Sequence, residues 1–242
     1  MPTQHTPSRP ARAKLLDAAA RLFYAEGISA TGIEAIIREA GVAKMSLYNN
    51  FDSKDALVTA YLEYRHEEWM QLYAARLSDS ASPRARVLAV FDAYRDHAND
   101  AYEHGFRGCG LLNAAAELPA NAPGRDQVRT HKQFVEEELQ RHLLAMSNAD
   151  TANSDTLSPD TPSSDTASAL ARHLSFLLEG AITRAGLESN DNALLDARAI
   201  AEILLDQAAV PSKAAVPSKA AVPSKAASAS SSAPTDTVST PQ

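Results

Sequence analysis

Between Thr31 and Lys54 the chain reads TGIEAIIREAGVAKMSLYNNFDSK, and this stretch restricts the fold more than any other. Ile33, Ile36 and Ile37 recur at helical spacing before Gly41, and Val42 and Leu47 follow it. A connection this short forces two helices to cross steeply around a small shared core. Thr31 and Glu34 have capping-box spacing, which predicts the start of the first of these helices at Thr31. Upstream, a helix is expected from about Ala11 to Glu26, with Leu15, Ala19, Leu22 and Phe23 on one face and Gly27 as its stop. The third helix is expected over about Ala43–Asn50. Phe23, Ile36, Val42, Leu47 and Phe51 should form the core that fixes the angles. Asp52 or Ser53 then caps a fourth helix reaching roughly Arg76.

Strand-like alternation is nearly absent and the chain holds only 9 glycines, so the expected class is all-α. The expected layout is an N-terminal three-helix helix-turn-helix domain at 10–70 with its reader segment at 32–51. A larger helical regulatory and dimerisation domain follows at 71–208. Ser82-Pro83 starts a helix to about Asn99, LLNAAAEL forms a short helix closed by Pro119, and 124–146 forms a charged one. Residues 147–167 collapse to Ser, Thr, Asp and Pro, a composition that predicts a disordered insertion. Two apolar helices are expected at about 168–188 and 191–208. A disordered tail at 209–242 holds most of three AAVPSK units.

A helix-turn-helix of this kind lays one helix into the DNA major groove, held by contacts to the flanking phosphates. The exposed side of the third helix carries Lys44, Met45, Ser46, Tyr48, Asn49 and Asn50. Lys44 suits a phosphate or a guanine edge, and Asn49 or Asn50 an adenine edge or the backbone. Tyr48 and Lys54 suit phosphates, and Thr31 brings helix N-terminal amides to an anionic oxygen. The formal charge of −7 argues against nucleic acid only superficially. Residues 1–60 carry seven basic side chains (Arg9, Arg12, Lys14, Arg21, Arg38, Lys44, Lys54) against six acids, so the acidity lies downstream.

The order LF…G, T…I…AGV, LYNNF and SK..L over residues 11–60 resembles the DNA-binding domain of the TetR family of bacterial transcriptional regulators. The resemblance implies an all-helical homodimer on a palindromic double-stranded operator, most often a repressor released by a small molecule. It carries DNA-binding roles onto Thr31, Lys44, Ser46, Tyr48, Asn49, Asn50 and Lys54. Three positions depart from the family pattern. Ala43 stands where Ser or Thr commonly caps the recognition helix, a loss of about 1 kcal/mol. Asn50 stands where His is frequent, and Met45 where a small residue is frequent.

The regulatory half is less constrained. Arg107–Pro119, RGCGLLNAAAELP, resembles a stretch that lines the ligand cavity in one set of these regulators. Trp69, Tyr73, Tyr94, Cys109, Asn113 and Glu117 are the expected effector-binding residues, with Phe91, Phe106, Phe134 and Phe176 as further aromatic candidates. Cys109, the single cysteine, offers an alternative: between two glycines and near Arg107 and His104, it suits an accessible thiolate that senses oxidants or electrophiles. A second alternative is a protein of this fold acting through a protein partner. Cys109 as a nucleophile with His104 or His97 as base would make an enzyme, but none is expected, because nothing places an acid, base and oxyanion hole together and the helices lack a strand scaffold. No cofactor is expected, and no metal either, since His97 and His104 are poorly spaced as ligands. The last two helices bear a broad apolar surface that suits a four-helix homodimer interface. No apolar run approaches the ~20 residues of a membrane span, and the start lacks a signal-peptide core, so a cytoplasmic location is expected.

Overall fold

Each helix begins and ends where the local chemistry dictates, and the helices then bury the stripes read above. The computed structural model describes residues 9–77, 82–100, 102, 104–152 and 164–209. The helices are α1 (Arg9–Glu26), α2 (Ile33–Ala40), α3 (Lys44–Tyr48), α4 (Lys54–Arg76), α5 (Pro83–Ala98), α6 (Gly110–Glu117), α7 (Pro123–Ala152), α8 (Ser164–Glu188) and α9 (Asn192–Ala209). No strand occurs among the described residues, so the all-α expectation holds.

Ser53 is the N-cap of α4, its hydroxyl accepting from the Ala56 amide at 3.1 Å. Ser82 caps α5 in the same way, with Pro83 at the first helical position. Gly41 closes α2 at φ 61° and ψ 38°, a left-handed turn that a side chain would strain. Ala43 begins α3 with no side-chain cap, as its sequence implies. Phe23, Ile36, Leu47 and Phe51 are all buried and lock α1, α2 and α3 together. The Phe23 and Tyr61 rings meet edge to face at 5.4 Å and tie this unit to α4.

In the larger half, α5 is central, packed against α4, α7 and α9, while α7 lies on α8 and α8 on α9. Helix α4 runs across the expected boundary at residue 70, so it is shared by both halves. The disordered insertion expected at 147–167 is corrected at both ends. Helix α7 continues through 147–152 and α8 takes up 164–167, with Ser147 and Ala167 buried. Packing against neighbouring helices overrides their weak propensity. Residues 153–163 and the greater part of the AAVPSK repeats lie outside the described residues. No described helix is long and apolar enough to cross a membrane.

Candidate functional site

Helix α3 is only five residues long, and Leu47 is its one buried side chain. With Leu47 as the inward anchor, the rest of the helix faces out: Met45 is 66% exposed and Tyr48 48% exposed, and Lys44 and Asn49 are also exposed. Ser46 and Asn50 are half-buried, and the Asn50 Nδ2 donates to the Ser46 carbonyl at 2.6 Å. Asn50 therefore spends its amide on closing α3. Lys44 Nζ donates to Glu34 Oε1 at 2.5 Å, and this bond raises the lysine above its usual pKa. Both side chains are more than half exposed, so the pair contributes little and is easily exchanged for a phosphate oxygen. Lys54 Nζ donates to the Ile28 carbonyl at 2.6 Å, bracing the α1–α2 loop.

Thr31 is a correction. Its side chain is fully buried, and its hydroxyl donates inward to the Gly27 carbonyl at 2.7 Å. The N-cap of α2 is Gly32, with no side-chain cap bond, and Glu34 turns to Lys44 instead of closing a capping box. Thr31 therefore fastens the α1–α2 loop and has no face toward DNA.

The expected effector residues divide. Trp69, Tyr73 and Tyr94 do converge: the Trp69 and Tyr73 rings stack at 5.1 Å, and Tyr94 lies 5.6 Å from Trp69. They pack closely, each almost wholly buried. His131 closes the cluster edge-on at 5.4 Å and brings its Nδ1 within 2.8 Å of His66 Nδ1. On the far side of His131 a cavity of about 310 Å³ opens between α4 and α7, lined by Leu62, Glu63, His66, Asp126, Gln127, Thr130 and His131. Two buried polar atoms in this neighbourhood, Trp69 Nε1 and Gln127 Oε1, have no hydrogen-bond partner, an uncommon and costly state. Burial pushes His131 down to about 3, reinforced by the nearby Lys132 and His66, so its ring is neutral at physiological pH. Tyr73 donates to Glu138 and shares a 2.7 Å contact with His142.

Cys109, Asn113 and Glu117 do not join this cluster in the expected roles. Cys109 is 7% exposed and stands at the start of α6, so an accessible thiolate is not what this conformation presents. Asn113 Nδ2 donates to the Arg107 carbonyl at 2.9 Å, holding its own loop. Glu117 accepts from the Ile28 amide at 3.0 Å and the Ser29 amide at 2.7 Å, so its carboxylate grips the α1–α2 loop. Gly27 sits at φ 94°, which favours glycine, and a Cβ there would come within 2.7 Å of Glu117 Oε1 and push the carboxylate out of its grip. Phe176 is 61% exposed on α8, away from the other aromatics.

The segment before α6 makes a second grip. Arg107 Nη1 donates to the Tyr24 carbonyl at 2.6 Å and also to that of Ala25, while the Tyr24 hydroxyl accepts from the Arg107 amide and donates to the Gly108 carbonyl. Sequence reasoning missed this strut, and it missed the buried polar cluster beneath it. Arg65 there bonds the Tyr102 hydroxyl at 2.9 Å and approaches His97 Nε2 at 3.2 Å and Glu68 at 3.0 Å. Burial, with Arg65 and Lys132 nearby, pushes His97 down to about 3. Nothing in local periodicity marks these residues, because their partners lie far along the chain.

Among the described residues no group of three or more His, Cys, Asp or Glu is placed to hold a metal ion. The family model described as bacterial regulatory proteins, tetR family, matches residues 15–61. A TetR-family transcriptional regulator from Streptomyces coelicolor has a crystal structure that aligns at TM-score 0.69 and 30% identity, over 83% of this chain and 97% of that one. A TetR transcriptional regulator from Chloroflexus aurantiacus aligns at TM-score 0.66 and 24% identity over 81% and 94%, a likeness of fold. The transcriptional repressor KstR2 of Rhodococcus jostii is 34% identical over 86 residues, 34% of this chain and 42% of that protein. The first curated relatives are matched over 37% to 60% of their own length. With the reader segment matched in place and a relative at 30% identity covered over 97% of its chain, the chain belongs to the TetR family of bacterial regulatory proteins.

Proposed function

We propose that this protein is a homodimeric transcriptional repressor that binds a palindromic DNA operator through α3 and is released by a small-molecule effector. The observation that carries this reading is the reader itself: a five-residue helix anchored by Leu47 with Lys44, Met45 and Tyr48 exposed. Met45, Tyr48 and Asn49 form its exposed tip, and Lys44 is held only by an exposed ion pair. The name of KstR2, an HTH-type transcriptional repressor, agrees with it.

The second copy docks on α8 and α9. Phe176, Leu187, Leu195, Ile200 and Ile203 are exposed there, and a groove between the helices is floored by small residues, Gly180, Ala181 and Ala197. Two such faces make a four-helix interface, which sets the spacing of the two readers on DNA.

The effector site is the α4–α7 cavity, where the unpaired Gln127 Oε1 offers an acceptor. An effector seated there separates His66 from His131 and shifts α4 against α7. The movement passes to the reader through Lys54, Glu117 and Arg107, so that effector-bound dimers favour a reader spacing that no longer fits the groove. A gel shift on the DNA flanking this protein's own gene, at 50 mM and 150 mM salt, tests the central claim. Retardation that is lost in Tyr48→Ala and weakens with salt supports it; no retardation at 50 mM salt refutes it.

A further inference from the structure

Met45 is the outlier of the reader surface. It is 66% exposed and takes no part in the core, while Leu47 two residues on is fully buried. Tyr48 stands three residues further along the same face and is 48% exposed. Of the polar neighbours, Asn50 is engaged with the Ser46 carbonyl and Lys54 with the Ile28 carbonyl, Lys44 is held by an exposed pair with Glu34, and Asn49 is exposed. Met45 is thus the most prominent point of the α3 tip and its one wholly apolar side chain, flanked by the Tyr48 ring. A thioether is matched by only one kind of feature on the major-groove floor, the C5-methyl group of thymine; the purine edges and unmodified cytosine present polar atoms there. A thioether set against those atoms would strip them of water without replacing the hydrogen bonds.

We propose that Met45 is a specificity-determining residue that packs on the C5-methyl group of a thymine in each operator half-site, with Tyr48 as the second wall of that contact. The proposal rests on the reading of α3 as a base-reading helix.

The test starts from sites selected by the full-length protein out of a random, unmethylated double-stranded library. Each thymine of the selected half-site is then replaced by deoxyuridine, which removes the methyl group and nothing else. Binding is measured at one fixed salt concentration for the unaltered protein, Met45→Leu and Met45→Ala. The expected result is one symmetric thymine pair whose replacement weakens the unaltered protein about fourfold per half-site and about fifteenfold for both. Met45→Leu keeps that dependence, and Met45→Ala binds more weakly and is indifferent to deoxyuridine at that pair. With cytosine at the same step, adding a C5-methyl tightens binding of the unaltered protein and of Met45→Leu but not of Met45→Ala. Indifference of the unaltered protein to every thymine replacement overturns the proposal while leaving the reader intact. So does a response in Met45→Ala equal to that of the unaltered protein. A library with no enriched sequence overturns the base-reading role of α3, and this proposal with it. Melting temperatures of the variants serve as the folding control; an exposed side chain should leave them unchanged.

Discussion

Replacing Glu117 by glutamine tests whether α6 holds the reader. The carboxylate accepts two amides at once, from Ile28 at 3.0 Å and Ser29 at 2.7 Å. Glutamine has the same length but one acceptor oxygen, so its NH₂ group must face the other amide. A charge-assisted bond contributes about 1.5–3 kcal/mol. Glu117 is largely exposed and the Ser29 amide can rehydrate, which places the expected loss at the lower end, about 1–2 kcal/mol. For a chain of this size that lowers the melting temperature by about 2–8 °C, read by circular dichroism at pH 7. The pH dependence is a second signature. Burial pushes the Glu117 carboxyl up, but the Ser29 and Ile28 amides and the charge of Arg107 outweigh it and hold it below the usual value. A carboxyl depressed in the folded state contributes fully above its unfolded pKa and loses that contribution as pH falls through the folded value. The gap between the two proteins should therefore hold steady from pH 7 to about pH 5 and narrow below the ordinary carboxylate range near 4.3. Equal melting temperatures at pH 7, or a gap that stays constant down to pH 3.5, would refute the strut.

Ser53→Ala removes the α4 cap that accepts from Ala56 and should cost about 1 kcal/mol, some 2–4 °C in melting temperature; an unchanged melt argues against the cap. Ile203→Asp places a charge on the exposed apolar face of α9 and should give a folded monomer by light scattering, with unaltered circular dichroism. A dimer of unchanged mass would relocate the interface. His97 and His131 are buried as neutral rings with pKa values near 3. The unfolded chain takes up these protons from about pH 6.5 downward and the folded chain does not. Stability is therefore full above pH 6.5 and falls by up to about 1.4 kcal/mol per pH unit for each ring below it. Urea midpoints at pH 7.5, 6.5 and 5.5 check this, and a flat profile in which His131→Gln changes nothing would contradict it.

The features legible in the sequence were those fixed by neighbours in the chain. Ser53, Ser82-Pro83 and Gly41 each act within four residues of themselves, and each does what its chemistry requires. The core of Phe23, Ile36, Leu47 and Phe51 was legible because helical spacing leaves those side chains one inward face. Thr31 misled because a capping box depends on where the helix starts, and α2 starts one residue too late for it. Glu117 looked like a polar handle for a ligand. Its true partners lie 88 and 89 residues away, and no local pattern encodes that. The same holds for Arg65, His97 and His131, polar residues buried by partners from other helices. Residues 147–152 and 164–167 have a disordered composition but are drawn into helices by the packing of Ser147 and Ala167.

Ile28 is held at both ends of its backbone: its amide by Glu117 at the end of α6, its carbonyl by Lys54 at the start of α4. One residue in the α1–α2 loop therefore adds together the displacements of two helices. Distinct stimuli, one moving α4 and another moving α6, would arrive at the reader as the same signal. On the function proposed above, substitutions that leave the operator permanently unoccupied should accordingly scatter along α4 and α6 as well as α3, and many will lie far from both DNA and effector. On that same proposed function, such a summing junction is a route to new inducers: a pocket can be rebuilt around either helix while the reader and its operator stay as they are.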